Sequence, residues 1–202
     1  MVKLLVASNN LGKVREYQAL LEGLPFLLTT LKEAGIKVTV DEGKDSYQEN
    51  ARLKAEAYAR LSGLLTLADD SGLEVTALGG EPGPRAARYA GENASDRERV
   101  SYLLSKLRDV PWEQRKACFR CVIALALPGD GVEICQGECD GYIALEPKGE
   151  MGFGYDSVFY LPELDKTMAE LTPEEKNKVS HRARAAQCAR AVLERWLEKA
   201  KP

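Results

Sequence analysis

The chain has 202 residues, 45% of them hydrophobic and 29% charged, which suits one large domain, or one domain with a lobe, built on a substantial core. Its net charge of −3 offers no basic field of the kind that holds nucleic acid. No apolar run approaches the roughly 20 residues that span a bilayer. Lys3 is followed by only four apolar residues before Ser8, too short a run for a secretory signal. The expectation is a cytoplasmic protein with no nucleic-acid partner and no membrane contact.

In chain order, residues 3–7 read as a short apolar strand. Val14, Tyr17, Leu20, Leu21 and Leu24 then form a helical stripe over 13–24. Residues 36–40 read as a second strand. Ser46 and Glu49 have capping-box spacing and open a helix to about Ser62. Strands are expected over 64–68 and 73–78, around a turn at Asp69-Asp70-Ser71-Gly72. Residues 79–91, rich in Gly and Pro, read as a loop. Ser95 and Glu98 form another capping box, ahead of a helix with Val100, Leu103, Leu104 and Leu107 on one face. Residues 116–127 and 132–145 read as a long β-hairpin, and 152–155 as a glycine-rich turn before an apolar run over 158–161. A last helix runs from about 181 to 200. Early alternation of strands and helices with a later hairpin predicts an α/β fold with a mixed sheet, in up to two lobes and without a linker.

Five cysteines are present: Cys118, Cys121, Cys135, Cys139 and Cys188. An odd count without a secretory signal argues against a disulfide framework. The spacings of Cys118 with Cys121 and of Cys135 with Cys139 hint at zinc. Positions three apart in a strand face opposite sides, however, so reduced thiols acting as small hydrophobes are the better reading. A zinc-ribbon or nucleic-acid-binding module remains the alternative from a different class.

The chemistry concentrates in a few segments. Asp69 and Asp70 follow an apolar run, and adjacent carboxylates repel unless something neutralises them. A hard cation such as Mg²⁺ would do so, since it seeks oxygen ligands; a solvated turn is the plain alternative. Ser8, Asn9, Asn10, Leu11, Gly12 and Lys13 form a strand-to-helix junction, where first-turn N–H groups and the helix dipole favour a phosphate. Lys13 sits at the unfavourable end of that dipole, which an anionic ligand would explain and a solvated lysine would also satisfy. Val14 stands where a Walker A loop needs Ser or Thr. His181 and Arg182 repeat the anomaly behind Ser180, a plausible N-cap, with Lys176 and Lys178 upstream; a phosphate or a base edge would suit them. Gly152-Phe153-Gly154-Tyr155-Asp156 joins aromatics for base stacking to a carboxylate, or is a turn with core aromatics. Asp41 and Glu42 offer further carboxylates. Lys54 is either a snorkelling lysine or one that faces phosphate.

Taken together these segments resemble the inosine/xanthosine triphosphate pyrophosphatases. The matching stretches are Ser8-Asn-Asn-x-Gly-Lys13-x-x-Glu16, Glu49-Asn50-Ala51-x-x-Lys54-Ala55, Ala68-Asp-Asp-Ser-Gly-Leu73, the loop from Pro82 to Tyr89, Phe153-Gly-Tyr-Asp156 and Ser180-His-Arg182. They cover nearly the whole chain, in order. The pattern departs at Gly43-Lys44, where Thr-Gly is usual, at Ala86, a frequent Ser, and at Ser157, where Pro usually follows.

The resemblance implies an elongated mixed β-sheet flanked by helices, with two lobes and a central cleft, in a homodimer. It implies hydrolysis of non-canonical purine nucleoside triphosphates (ITP, dITP, XTP) to the monophosphate and pyrophosphate with Mg²⁺. Ser8, Asn9, Asn10, Leu11, Gly12, Lys13 and Lys54 would face the triphosphate, with Lys13 also catalytic. Asp70 would be proton acceptor and metal ligand, and Glu42 its metal partner. Ser71, Phe153, Gly154, Tyr155, Asp156, Lys176, His181 and Arg182 would bind substrate. A house-cleaning enzyme for modified pyrimidine nucleotides is the alternative within the same chemistry.

Overall fold

The computed structural model describes residues 2–40, 43, 45–129 and 131–199. Its strands are β1 (Val2–Val6), β2 (Phe26–Thr30), β3 (Leu65–Val75), β4 (Pro82–Gly83), β5 (Lys116–Ala126), β6 (Val132–Ile143), β7 (Phe159–Leu161) and β8 (Lys166–Thr167), in the sheet order β2-β1-β3-β5-β6-β7-β8 with β4 paired to β3. The chain divides into two compact units. One comprises the residues up to Asp70, Cys121–Gly137 and the chain from Arg182 onward; the other comprises Ser71–Arg120 and Glu138–His181.

In the first unit, β1 (Val2–Val6) leads into α1 (Leu11–Leu20) and β2 (Phe26–Thr30). Next come α2 (Tyr47–Ser62) and β3 (Leu65–Val75), which begins in this unit. β1 pairs in parallel with both β2 and β3, Leu4 lying opposite Leu28 and Leu65. The alternation along β1 explains the two apolar layers. Leu4 and Val6 join Val14 and Tyr17 of α1 and Ala185, Ala189 and Leu193 of α5 (His181–Lys199). Leu5 and Ala7 join Ala51, Ala55 and Tyr58 of α2. A strand buried on both faces reads as a continuous apolar run, as the sequence does here.

In the second unit, the end of β3 pairs with β4 (Pro82–Gly83), Leu73 lying opposite Gly83. Helix α3 (Asp96–Lys106) is opened by the full Ser95/Glu98 capping box. It packs Val100 and Leu103 into a core with Phe119, Ile143, Val158 and Phe159. β5 (Lys116–Ala126) and β6 (Val132–Ile143) are sheet neighbours, and β6 continues through β7 (Phe159–Leu161) to β8 (Lys166–Thr167). Tyr142 pairs with Tyr160 in antiparallel register. A short helix α4 (Pro173–Val179), with its own Thr172/Glu175 capping box, precedes α5. Ser180, the one residue between the two helices, has extended backbone, as expected of a residue at an N-cap position.

Four expectations need correction. The second strand lies at Phe26–Thr30 rather than 36–40. Residues 36–40 are irregular, and the Tyr58 hydroxyl bonds the Val40 N–H (3.3 Å) and the Val38 carbonyl (3.1 Å), groups a strand would offer to a neighbour. The two strands expected around Asp69-Asp70 are one strand of 11 residues, because both carboxylates are buried and need no solvent-facing turn. α4 was not foreseen. Finally, Cys135 on β6 and Cys188 on α5 form a disulfide with a Cα–Cα distance of 5.6 Å, while Cys118, Cys121 and Cys139 are free thiols. The odd count misled because one pair is joined and three cysteines are left over.

Candidate active site

The first unit carries Ser8, Asn9, Asn10, Leu11, Gly12, Lys13, Lys54, Asp70 and Arg182 of the expected site. Asn10 caps α1, its side chain accepting the Lys13 N–H at 3.1 Å, and Ser8 Oγ accepts the Asn10 N–H at 3.1 Å. The junction is thereby held open at the surface, with Asn9, Asn10 and Leu11 exposed. The first turn of α1 holds no acidic residue. Its leading N–H groups lie beyond the reach of the helix's own carbonyls, which leaves a positive end suited to an anion.

Lys13 has an internal partner. Its Nζ lies 3.0 Å from Asp69 Oδ2, and Asp69 is only 2% exposed. Arg182, 2% exposed, lies 3.5 Å from the same oxygen and donates to Glu16 at 2.6 Å. Lys54 Nζ donates to the Asp69 backbone carbonyl at 2.5 Å. It reaches there because Asn50, Ala51, Lys54, Ala55 and Tyr58 are the buried face of α2, spaced by three and four residues. Lys54 is therefore buried rather than snorkelling. Two of the cations that looked misplaced on their helix dipoles have partners within the chain, Asp69 for Lys13 and Glu16 with Asp69 for Arg182.

Burial alone would push the Asp69 carboxyl up, but Lys13, then Arg182 and Lys54, outweigh it and hold it well below the usual carboxylate range. Asp69 is thus a buried, permanently charged hub. Its charge acts on its neighbours in turn. Burial first, and then Asp69, push the Cys121 thiol up to about 12 and raise the Tyr17 hydroxyl well above its ordinary value. Burial would lower Arg182, but Glu16 and Asp69 hold it firmly protonated.

Asp70, 4% exposed, accepts the Asn50 side-chain amide at 2.9 Å. Alternation along β3 sends the neighbouring carboxylates to opposite faces. A buried carboxylate oriented by an amide is a hard oxygen donor of the kind Mg²⁺ selects, so Asp70 suits that ion, while no group of three or more acidic, His or Cys side chains gathers for a metal among the described residues. Glu42, the other expected metal ligand, lies outside the described residues.

The second unit carries Ser71, Phe153, Gly154, Tyr155, Asp156, Lys176 and His181. The glycine-rich segment is a tight turn built on Asp156. Its Oδ2 accepts the Phe153 N–H at 2.9 Å and the Lys176 Nζ at 2.5 Å. Gly152, at φ +78°, leaves room for this: a Cβ there would stand 2.1 Å from Asp156 Oδ2. Lys176 also lies 4.8 Å from the centre of the Phe153 ring, a cation–π contact that orients the aromatic. Tyr155 is core, its hydroxyl donating to the Ala86 carbonyl at 2.9 Å. His181 stacks on Phe119 with centroids 4.6 Å apart and planes at 14°. Ser71 follows directly on the carboxylate pair in β3 and is half-buried.

Sequence reasoning named these positions but not their partners. It missed Asp69 as the hub, Glu16 as the counter-charge of Arg182, and Asp96, whose Oδ2 accepts the Gly154 N–H at 2.6 Å. Glu16 did stand in the first motif, and a buried Arg needs a carboxylate, so that pair was the one within reach.

A mixed α/β sheet thus carries two adjacent buried carboxylates in one strand, Asp69 held by cations and Asp70 by an amide, beside the polar N-terminus of α1. The chain matches the model of the Ham1 family over residues 4–192 and belongs to that family. It is 50% identical to the dITP/XTP pyrophosphatase of Geobacillus kaustophilus over 185 residues, 92% of this chain and 91% of the relative. It is 44% identical to the protein of the same name from Bacillus subtilis over 194 residues, 96% of this chain and 98% of that one. Among solved structures, a HAM1 protein from Coxiella burnetii superposes with a TM-score of 0.87 at 41% identity, covering 96% of this chain and 100% of the other. The Staphylococcus aureus Ham1 protein gives 0.85 at 42% identity, covering 95% and 98%.

Proposed function

We propose that this chain hydrolyses non-canonical purine nucleoside triphosphates, with dITP, ITP and XTP as substrates, to the monophosphate and pyrophosphate. The observation that carries the reading is the Asp69–Asp70 pair, in which one carboxylate is consumed by cations and its neighbour is held by an amide. The names of the relatives support the substrate class, and none of those quoted speaks for a pyrimidine nucleotide. The partners of the two carboxylates support a division of labour between them. Asp69 fixes Lys13 and Arg182 and stays charged throughout. Asp70 orients the attacking water and accepts its proton, aimed by Asn50. Lys13 and the first N–H groups of α1 hold the phosphate oxygens and offset the charge that grows on the leaving pyrophosphate.

Mg²⁺, held by Asp70 with Glu42 as a further ligand, would supply neutralisation of the phosphate charge and orientation of its oxygens. Phe153 would offer a face to the base, with Lys176 steadying the ring. His181 would donate to a 6-oxo group, leaving an unpaired donor against adenine. A homodimer and a cytoplasmic setting belong to the same proposal. No described helix is long and apolar enough to cross a membrane. The test is a screen of nucleoside triphosphates with pyrophosphate detection, with Mg²⁺ and with chelator. Turnover of dITP, ITP and XTP well above ATP and modified pyrimidine triphosphates, lost on chelation, is expected. Stoichiometric zinc without turnover of any nucleotide would contradict it.

A further inference from the structure

The turn that carries Phe153 is bonded at two successive amides, and only one of them is served from within the turn. Phe153 N–H goes to Asp156. Gly154 N–H goes to Asp96 Oδ2 at 2.6 Å, on the first turn of α3, a helix 58 residues away in the chain. The other oxygen of Asp96 pairs with Arg99 NH2. Arg99 NH1 in turn donates to the carbonyls of Ala87 (2.8 Å) and Ala94 (2.6 Å). Asp96 is thus the shared end of a brace that anchors the turn to a helix and to the preceding loop. The peptide it grips joins Phe153 to Gly154, which sits at φ +65°. That peptide is one of the two that set the direction of the Phe153 Cα–Cβ bond, from which the ring is carried by its side-chain torsions.

We infer that Asp96 is a positioning residue for substrate binding: through the Gly154 N–H it fixes the peptide that presents the Phe153 ring to the base. This rests on the reading of Phe153 as the face on which a purine stacks. Asp96 touches no reacting group, so its loss weakens binding and leaves the chemical step intact.

The test uses the full chain with Asp96→Ala, Asp96→Asn, Phe153→Ala and the Asp96→Ala/Phe153→Ala double variant. Asp96→Ala is expected to raise KM for dITP about tenfold, the scale of one hydrogen bond to a carboxylate, with kcat within about twofold. Asp96→Asn retains an accepting oxygen and is expected to restore most of the loss. In the Phe153→Ala background, Asp96→Ala is expected to add nothing further, because the two act through one ring. The Gly154 amide resonance, followed by ¹⁵N NMR without nucleotide, is expected to move in Asp96→Ala and stay near its native position in Asp96→Asn. A moved Gly154 resonance with unchanged KM would overturn the positioning role while leaving the stacking reading intact. An unchanged KM in Phe153→Ala would overturn the stacking reading, and the inference with it. Equal KM penalties from Asp96→Ala in both backgrounds would also overturn it. If Asp96→Ala does not fold, Asp96→Asn carries the decision: a tenfold loss there, with the Gly154 resonance native, is the contradicting result.

Discussion

Asp69→Asn removes one charge and almost no volume, so it isolates the electrostatic role of the hub. In the native protein the carboxylate sits 2% exposed with Lys13 at 3.0 Å and Arg182 at 3.5 Å. Removing one partner from a buried ion pair strands the other and costs about 3–5 kcal/mol. Arg182 keeps Glu16 at 2.6 Å and Lys13 retains some access to water, which places the loss near the low end, about 3 kcal/mol. For a chain of this size about 1 kcal/mol corresponds to roughly 2–4 °C in Tm, so a fall of roughly 6–12 °C is expected at pH 7. The pH dependence has a definite sign. The folded Asp69 carboxyl lies below its unfolded value of about 3.9, so its stabilisation is complete above that value and is lost only as pH falls through the folded value. The gap in Tm between wild type and variant should therefore be constant from about pH 5 to 8 and narrow only in stronger acid. Thermal melts of both proteins across that range read it directly. A gap below 2 °C at pH 7, or one that closes already between pH 7 and 5, would refute the buried, charged hub.

Further outcomes follow from the same geometry. Lys13→Ala loses the Asp69 partner and the proposed phosphate contact, so it should raise KM for dITP and also lower Tm; intact stability with raised KM would show that the Asp69 pair contributes nothing. His181→Ala should narrow the ratio of kcat/KM for ITP over ATP, and an unchanged ratio would confine His181 to its stack on Phe119. Unfolded without reductant, the protein should titrate as three thiols rather than five, given the Cys135–Cys188 bond; five would place that pair in the reduced state.

Much of the fold was legible because it rests on local signals. Ser46 with Glu49 and Ser95 with Glu98 marked two helix starts that the structure keeps, and the bounds of β1, β5 and β6 were legible nearly to their ends. What failed were decisions settled by distant partners. Asp69-Asp70-Ser71-Gly72 reads locally as a turn, and only cations from α1, α2 and α5 make a buried strand there tolerable. Phe26–Thr30 became the strand because its side chains match β1 in register, information that lies in another segment. The positions of the candidate site were visible as motifs, whereas the partners these residues have within the chain were not. Lys13 and Arg182 looked like cations in search of a ligand, since Asp69 lies 56 residues after one and 113 before the other. Asp156 reads from the sequence as a substrate-binding carboxylate, and its Oδ2 takes Phe153 and Lys176.

In the proposed reaction the two adjacent carboxylates divide the work, Asp69 holding charge and Asp70 serving the water. Pyrophosphate release from dITP by Asp70→Asn, under saturating substrate, tests it most directly. Asn can still accept from Asn50, so the fold should survive with Tm within about 2 °C of wild type, while kcat falls by at least about 10²-fold, the scale of one general base. Near-native turnover in a folded Asp70→Asn protein would remove Asp70 as the base.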